Sequence, residues 1–501
     1  MATTLVSAPG KVLLAGGYLV LDPAYSGVVV STSSRFYTVV QPGVSGQIRV
    51  RSPQFVDGLW TYTVAQEGGR VLVAPVDNAK NKFVHLAIQK TFALAYELKG
   101  PEEFTQHLGA GIDITIAGDN DFYSQQDQLK AQGLPSTVES LAQLQPFVST
   151  GVAIADVSKT GLGSSAALIT SLVSALLVHF GVIPRAALAP SAAPAERDQA
   201  RRLAHNVAQF VHCLAQGKVG SGFDVAAAVF GSQLYTRFTP SVIKPLMDDA
   251  VLPLFPTLSP QNPEWDYNVQ PFKLPPFTRL LLADVHAGSN TPSLVSKVLK
   301  WRQEDATTAH SLWTALDQLN TSLGATLLRL SDLSVQDPDS YLSAIRYMTS
   351  IQSVQWLANP NMQDYAIVLE PFYEVHLLSE QIRAKMREMG ALAGVEIEPP
   401  QQTKLLDDSI ALGGVIGGGV PGAGGYDAVW LLVCDPPASV PVPDMRPLHR
   451  VEHLWQAYGA AGAGAVQVAP LMAQESARGV EVEELEAVPG LAAAVALGLG
   501  A

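Results

Sequence analysis

The sequence predicts an α+β protein with at least two domains, and three observations point to that class. Short β-rich runs separated by Gly, Pro and Asp fill most of residues 4–75. Apolar residues at helical spacing follow at 82–98 and 201–215, and over most of 293–392. The chain has 501 residues, of which 48% are hydrophobic and 15% charged, so it can bury more than one core.

Individual elements follow from the same patterns. The Pro- and Ala-rich residues 182–197 predict an exposed insertion between helices, and the Pro-rich residues 238–278 predict a connection between two halves. Residues 411–434 predict a Gly-rich loop between two strands, and the C-terminal residues 491–501 predict a frayed tail or a packed final helix. The remaining predicted strands are 12–15, 27–31, 36–40, 48–52, 59–64, 70–75, 111–117 and 280–285.

Composition excludes several classes of function. The net charge is −13 and no long basic run is present, so nucleic acid and an anionic membrane surface are unsuitable partners. Cys213 and Cys434 are too few for a disulfide framework or a cysteine zinc site. Neither a secretory signal nor a membrane-spanning run is recognisable, and nothing indicates an obligate protein partner. We therefore expect a soluble, cytoplasmic protein.

The most informative segment reads KTGLGSSAA, at residues 159–167, and an apolar helix-compatible run follows it. The first turn of a helix has backbone N–H groups without intrahelical partners and a positive dipole end. Glycines let the backbone approach a ligand closely, and the two serines add hydroxyl donors. The segment predicts a cradle for a polyphosphate, although it is not a P-loop because no lysine follows the second glycine. Alone, it is equally compatible with a Gly-Ser turn that caps an ordinary helix.

Two further Gly-rich segments lie far from the first, SAPGKVLLAGGY at 7–18 and VPGAGGYDA at 420–428. Each alone could be a tight turn between strands. In order and spacing, the three together resemble the motifs of the galactokinase, homoserine kinase, mevalonate kinase and phosphomevalonate kinase (GHMP) superfamily. We call them motifs one, two and three in chain order, so that 159–167 is motif two.

Further segments resemble phosphomevalonate kinases of the fungal and plant type, over nearly the whole chain. They are GDNDFYS at 118–124, AQGKVGSGFD at 215–224, GSNTP at 288–292, IEP at 397–399 and QTKLLD at 402–407. The resemblance implies transfer of the γ-phosphoryl group of ATP to the phosphate of 5-phosphomevalonate, with Mg²⁺ as cofactor. It also implies a ribosomal protein S5 domain 2-like domain at 1–245 and a ferredoxin-like domain at 246–501, with the ligands in the cleft between them.

The resemblance also implies roles for individual residues. Ser165 would contact the magnesium ion, while Lys159 is either a phosphate contact or a solvated loop lysine. Asp224 matches the catalytic aspartate, although Asp is also a common helix N-cap. Lys11 matches the active-site lysine, and either it or Lys218 could neutralise phosphate charge. The residues expected at the ATP phosphates are Lys159, Gly161, Leu162, Gly163, Ser164, Ser165, Ala166, Gly422, Ala423 and Gly424. Those expected at the substrate are Lys218, Ser221, Ser289 and Thr291, with Lys82 and Arg35 as weaker candidates.

One departure from the family pattern concerns the metal. Mevalonate kinases carry a magnesium-binding glutamate about three helical turns before the catalytic aspartate, and residues 207–216, VAQFVHCLAQ, contain no acid. We therefore expect ATP oxygens, Ser165 and water to hold the Mg²⁺ ion. His212 and Cys213 are adjacent but lack metal-type spacing, so they are expected to be buried helix residues.

Two alternatives to a phosphomevalonate kinase stay open at this point. The first is mevalonate kinase or another small-molecule kinase of the superfamily, whose acceptor is a hydroxyl group and whose rate depends heavily on the aspartate. The second is a catalytically silent sensor of ATP or a metabolite, since kinase folds can be reused for binding. The joint presence of Lys11, Ser165 and Asp224 argues against the second.

Overall fold

The protein is built around two β-sheets with helices packed against them, as the α+β prediction requires. The structure is a computed structural model. It describes residues 3–44, 46–76, 81–109, 111–247, 253–285, 291–442, 445–460 and 467–497. In chain order the strands are β1 (Thr4–Ala15), β2 (Ser26–Pro42), β3 (Gln47–Arg51), β4 (Leu59–Glu67), β5 (Arg70–Pro75), β6 (Ile112–Gly118), β7 (Gln233–Thr236), β8 (Asn268–Pro271), β9 (Thr278–Val285), β10 (Val415–Gly419), β11 (Ala428–Cys434), β12 (Val468–Pro470), β13 (Glu475–Ser476) and β14 (Glu481–Val482).

The helices lie on the faces of these sheets, and several have clear sequence signals. Asn81 accepts hydrogen bonds at the start of the first helix, and Gly217 and Gly394 end two others in the left-handed conformation. The helices are α1 (Lys82–Leu108), α2 (Gln126–Ala131), α3 (Val138–Leu141), α4 (Ser164–His179), α5 (Pro194–Gln216), α6 (Phe223–Phe230), α7 (Lys244–Met247), α8 (Phe255–Leu258), α9 (Thr291–Glu304), α10 (Ala306–Gln336), α11 (Pro338–Met348), α12 (Ala366–Ala393), α13 (Pro400–Ile410), α14 (Pro447–Ala460) and α15 (Leu491–Leu497). None of these described helices combines the length and apolarity that a membrane span requires.

The larger sheet has the strand order β14-β1-β2-β6-β3-β4-β5, with β7 and β13 paired to β2, and β8 paired to β7. The β3–β6 pair is parallel, and the other described pairs of this sheet are antiparallel. The two strands predicted at 27–31 and 36–40 are one strand, because most of the polar residues at their junction are buried and bonded, and only Ser33 is exposed. Ser31 donates to the Ser476 carbonyl, and Ser34 donates to Asp121 at 2.7 Å.

The smaller sheet is antiparallel, with the order β10-β11-β9-β12. The two sheets are not separate along the chain, since β8, β13 and β14 pair with strands of the larger sheet. The final helix α15 buries Leu491, Ala494 and Val495 against Leu5 and Val39, which confirms the packed-helix reading of the C-terminus. The division at 245/246 and the finer domain names stay predictions.

Helix α4 positions the candidate site. Its sequence has no Asp, Glu, Lys or Arg and most of its residues are buried, which is typical of a helix enclosed by other elements, and it packs against β1, β2, α1, α5 and α6. The prediction of an exposed insertion at 182–197 is wrong in part. Ile183 and Leu188 are buried, and α5 already begins at Pro194 because proline suits the first turn of a helix.

Candidate active site

Motif two forms the turn into α4, as the sequence predicts. Gly161 and Gly163 have φ angles of 77° and 80°, a region that favours glycine, and Gly163 is the N-cap of the helix. The Ala166 and Ala167 amides bond back to the Gly163 carbonyl at 3.1 Å. The N-terminal end of a long buried helix therefore opens at a glycine turn flanked by Ser164 and Ser165, which is the geometry of an anion site.

Lys11 of β1 lies directly against this turn. Its Nζ donates to the Gly161 carbonyl at 2.9 Å, and its amide donates to the Leu162 carbonyl at 2.8 Å. A Cβ atom on Gly163 would lie 2.9 Å from Lys11 Cε, so the lysine stem occupies the space that the glycine leaves. Burial lowers the pKa of Lys11, and the charge of Asp224 partly opposes that effect. Motifs one and two therefore place a cation at the mouth of the anion site.

Asp224 lies in the first turn of α6, where its carboxylate accepts the Val225 amide at 2.9 Å. The N-cap itself is Gly222, with φ 81°, so the alternative reading of Asp224 as the N-cap is wrong. A Cβ on Gly222 would lie 2.8 Å from Gln209 Oε1 and 2.9 Å from the Tyr235 hydroxyl, so the turn needs glycine. The carboxylate is left to act on the cleft and on Lys11.

Arg237 holds the loop that precedes α6, and sequence reasoning missed it. Its guanidinium donates to the carbonyls of Val219 at 3.0 Å and Gly220 at 2.5 Å, and also to that of Leu21. Beside it, the Tyr235 hydroxyl donates to the Ser221 carbonyl at 2.8 Å. No motif marks Arg237, because its contacts are backbone carbonyls that are distant in sequence.

His212 is a buried residue of α5, as the sequence predicts, and it also lines the cleft. Its ring is buried, and Nε2 lies 3.1 Å from Ser165 Oγ and 3.8 Å from Asp224 Oδ2. The Gln216 amide nitrogen is 3.1 Å from the same Nε2. The imidazole therefore lies between the Ser165 hydroxyl, which was predicted to contact the metal, and the Asp224 carboxylate, which was predicted to be catalytic.

Motif three is held by contacts to its backbone on two sides, from β1 and the turn after it and from the connection between α12 and α13. On one side the Gly422 amide donates to the Leu13 carbonyl at 3.2 Å, and the Tyr18 hydroxyl donates to the Ala423 carbonyl at 2.7 Å. On the other side the Gly425 amide donates to the Ile397 carbonyl at 2.7 Å. A Cβ on Gly424 would lie 2.1 Å from that same carbonyl oxygen. Sequence analysis assigned no function to the IEP segment at 397–399. In the structure, this segment supports motif three through the Ile397 carbonyl.

A cavity of about 330 Å³ lies where the three motifs meet. Its walls come from β1 of the larger sheet and from β9 and β11 of the smaller one, so it is a cleft between the sheets. Site candidates among the residues that line it are Lys11, Gly161, Leu162, Lys218, Ser221, Asp224, Gly422, Ala423 and Gly424. Such a concave, mixed polar and apolar site suits a small ligand.

Other sequence candidates lie elsewhere. Lys159 and Lys82 are exposed and do not line the cleft. Arg35 is buried away from it, donating to Ser7 Oγ at 2.8 Å and to the Gly479 carbonyl at 2.7 Å, so its suggested substrate role is wrong. Ser289 and the side chain of Thr291 lie outside the described residues, so their roles stay predictions.

A carboxylate metal cage is absent from the described part of the chain. No group of three or more His, Cys, Asp or Glu side chains there could hold a metal ion. The side-chain oxygens that meet at this helix end are the Ser165 hydroxyl and the Asp224 carboxylate, which lie 3.1 and 3.8 Å from His212 Nε2. A site of this kind fits an ion that arrives with its phosphate ligands and keeps several waters, as Mg²⁺ does.

Known proteins resemble this one in fold and in sequence. A Listeria innocua protein, Lin0012, superposes with a TM-score of 0.61 at 16% identity, covering 96% of this chain and all of that one. Streptococcus pneumoniae phosphomevalonate kinase, solved in complex with phosphomevalonate and AMPPNP, gives a TM-score of 0.54 at 15% identity, over 91% of this chain and 97% of that one. No protein-family model matches the chain. Identities of 15–16% show a shared fold and leave the class of protein to relatives of higher identity.

Curated relatives of higher identity identify the family. Aspergillus fumigatus phosphomevalonate kinase is 38% identical over 481 residues, which cover 87% of this chain and 88% of that protein. An Arabidopsis thaliana protein described as a peroxisomal phosphomevalonate kinase is 38% identical over 457 residues, covering 85% of this chain and 89% of that protein. The chain belongs to the phosphomevalonate kinase family.

Proposed function

We propose that this enzyme transfers the γ-phosphoryl group of ATP to the phosphate of 5-phosphomevalonate, giving 5-diphosphomevalonate and ADP. The observation that carries the proposal is the position of Lys11 between the helix-terminal anion site and the acidic Asp224. Its ammonium bonds to the Gly161 carbonyl and lies within the field of Asp224. A fixed cation between the donor site and the acceptor cleft is what transfer between two anions requires.

The cleft suits a phosphate acceptor more than a hydroxyl acceptor. A phosphate monoester has its second pKa near 6, so it is largely dianionic at neutral pH and needs little help to lose a proton. Repulsion between the two anions is then the larger barrier, and cations oppose it. Lys11 and Lys218 line the cleft together, with Ser221 as a hydroxyl donor. We assign Asp224 to orienting Lys11 and the acceptor.

We assign the ATP phosphates to the glycine turn of motif two and to motif three. The amides and hydroxyls of Ser164 and Ser165 would bind the phosphates. Gly422, Ala423 and Gly424 of motif three would lie on the opposite side of them. Mg²⁺, when bound, would neutralise charge that develops on the transferred group. Ser165, the nucleotide oxygens and water are the ligands that we propose for it. We keep the cytoplasm as the proposed compartment, while the Arabidopsis relative is described as peroxisomal.

The acceptor can be tested directly. The purified chain is incubated with ATP, Mg²⁺ and either mevalonate, phosphomevalonate or galactose, and ADP release is followed with a coupled assay. Of the three acceptors, we expect only phosphomevalonate to give turnover. Phosphorus NMR of the product then identifies the bond formed, because a diphosphate gives two coupled signals and a phosphorylated hydroxyl gives uncoupled ones.

Each alternative has its own outcome in this assay. Turnover of mevalonate without turnover of phosphomevalonate would make the protein a hydroxyl kinase. Binding of ATP without ADP release on any of the three acceptors would support the sensor. Either result would overturn the proposed reaction.

A further inference from the structure

His212 is unusual among the buried histidines of the described chain because of what its ring faces. His205, on the same helix, lies among the aromatic rings of Trp265 and Tyr267. His376 bonds to the Ile416 carbonyl at 3.1 Å. His212 Nε2 instead faces Ser165 and Asp224, which come from the first turns of α4 and α6. The imidazole thus lies where three helices, α4, α5 and α6, converge on the cleft.

Hydrogen-bond roles around this ring are constrained by its neighbours. An amide nitrogen is a donor, so the contact from Gln216 Nε2 requires His212 Nε2 to accept. The Ser165 hydroxyl can donate to the same lone pair from 3.1 Å. Asp224 Oδ2, at 3.8 Å, is too far for a hydrogen bond with the ring. Because Gln216 is exposed, it can turn to solvent and leave the lone pair to Ser165.

We infer that His212 is a positioning residue that accepts a hydrogen bond from the Ser165 hydroxyl and so turns the lone pairs of Ser165 Oγ toward the metal ion of the bound metal–triphosphate complex. The inference rests on the proposed function, in which Ser165 is a ligand of the ion. A serine hydroxyl that rotates freely offers a donor and acceptors in every direction. A serine fixed by an imidazole offers only oxygen, which is what a hard cation binds. This explains how the site can work without an acidic residue on α5.

The test measures binding of Mn²⁺ with AMPPNP, by electron paramagnetic resonance of the free ion, in variants of the full chain. His212→Asn cannot reach Ser165, whereas His212→Gln keeps an amide oxygen near the position of Nε2. His205→Asn is the matched control, because it removes a buried imidazole from the same helix away from the cleft. Ser165→Ala and the double variant Ser165→Ala/His212→Asn complete a thermodynamic cycle.

We expect His212→Asn to weaken Mn²⁺·AMPPNP binding about tenfold, which is about 1.4 kcal/mol. His212→Gln should recover most of that loss, and His205→Asn should bind as the parent does. In the Ser165→Ala background, His212→Asn should have no further effect, because the group that it positions is gone. The KM of phosphomevalonate should change less than twofold.

Three results would overturn the inference. They are parent-like binding in His212→Asn, an equal loss in His205→Asn, and effects of Ser165→Ala and His212→Asn that simply add. Should His212→Asn not fold, Ser165→Ala decides alone: parent-like Mn²⁺·AMPPNP binding in that variant would show that the hydroxyl positioned by His212 does not hold the ion, and would overturn the inference. Binding of Mn²⁺·AMPPNP needs no acceptor, so a failure of the proposed reaction would be seen separately, as absent turnover of phosphomevalonate.

Discussion

Glu398 is the centre of a buried ion network beneath motif three, and Glu398→Gln tests what that network does. The carboxylate is fully buried and accepts from Arg383 at 2.8 and 3.1 Å, from Arg387 at 2.6 Å and from Thr403 at 3.0 Å. Although burial acts to lower the pKa of Arg383, its bonds to Glu398 and Glu380 raise it overall. Glu398 follows Ile397, whose carbonyl holds Gly425, so fixing one residue fixes the other.

The size of the effect follows from burial. Leaving one partner of a buried ion pair without the other costs about 3–5 kcal/mol. Arg383 keeps its contacts with Glu380 and Asp407, whose side chains are 36% and 58% exposed, so the lower end applies. For a cooperative unit of 150–250 residues, a loss of about 3 kcal/mol lowers the melting temperature by about 6–12 °C. Glu380→Gln is the matched control, because it removes a partly exposed partner of the same arginine and should cost at most about 1 kcal/mol.

The assay has a thermal arm and a kinetic arm. Melting is followed by circular dichroism, and initial rates are measured below the melting range with each substrate varied. We expect Glu398→Gln to raise the KM of ATP several-fold more than that of phosphomevalonate, because motif three is displaced and motif two is not. Equal melting shifts in Glu398→Gln and Glu380→Gln would refute the argument from burial. A melting shift without any change in the KM of ATP would refute the link to motif three.

Two more predictions concern charge. Lys11→Ala should lower kcat by about 10²–10³, the usual loss when one preorganised charge is removed. Lys130→Ala, at an exposed site, is the control and should leave kcat unchanged. The measurement is the steady-state rate under saturating substrates, and a loss of less than about threefold in Lys11→Ala would show that the lysine has no part in the mechanism. Burial raises the pKa of Asp119 to about 7, against the hydrogen bond from the Arg35 amide. The folded state then holds a proton that the unfolded chain releases near pH 4, so stability should fall as pH rises from about 4 to about 7. Urea unfolding across that range should show a flatter profile for Asp119→Asn than for the exposed-site control Asp156→Asn, and identical profiles would contradict the prediction.

Local sequence patterns predicted most of the secondary structure, and the failures have physical causes. Turn residues between 27–31 and 36–40 suggested two strands, yet serine hydroxyls that find buried partners let β2 run through. Pro and Ala at 182–197 suggested an exposed insertion, yet Ile183 and Leu188 are buried and anchor the connection, while residues such as Pro190 and Ser191 stay exposed. The pairing of β13 and β14 with the first sheet could not be read from the sequence, since pairs this short carry no periodic signal.

The candidate site shows the same division between local and long-range information. Lys11, Gly161 and Asp224 could be found because their motifs are contiguous and chemically distinctive. Arg237 and His212 could not, because each acts through groups that are close in space and far apart in the chain. For His212 a signal did exist: it lies on the α5 stretch where an acidic residue was expected. The absence of an acid on this stretch suggested a gap in the metal site, and His212 was assigned only to the helix interior because its spacing did not suit a metal ligand.

The three glycine motifs are best understood as one structural requirement. A Cβ on Gly10 would lie 2.9 Å from the Leu162 carbonyl oxygen, so motif one needs glycine where motif two passes it. A Cβ on Gly17 would lie 2.2 Å from the Gly422 carbonyl oxygen, so motif one needs a second glycine where motif three passes it. Each motif is therefore glycine-rich because of another motif's backbone as well as because of a ligand. Their joint spacing predicts the kinase fold so well because they touch, and a larger residue in one motif displaces the loop of the next.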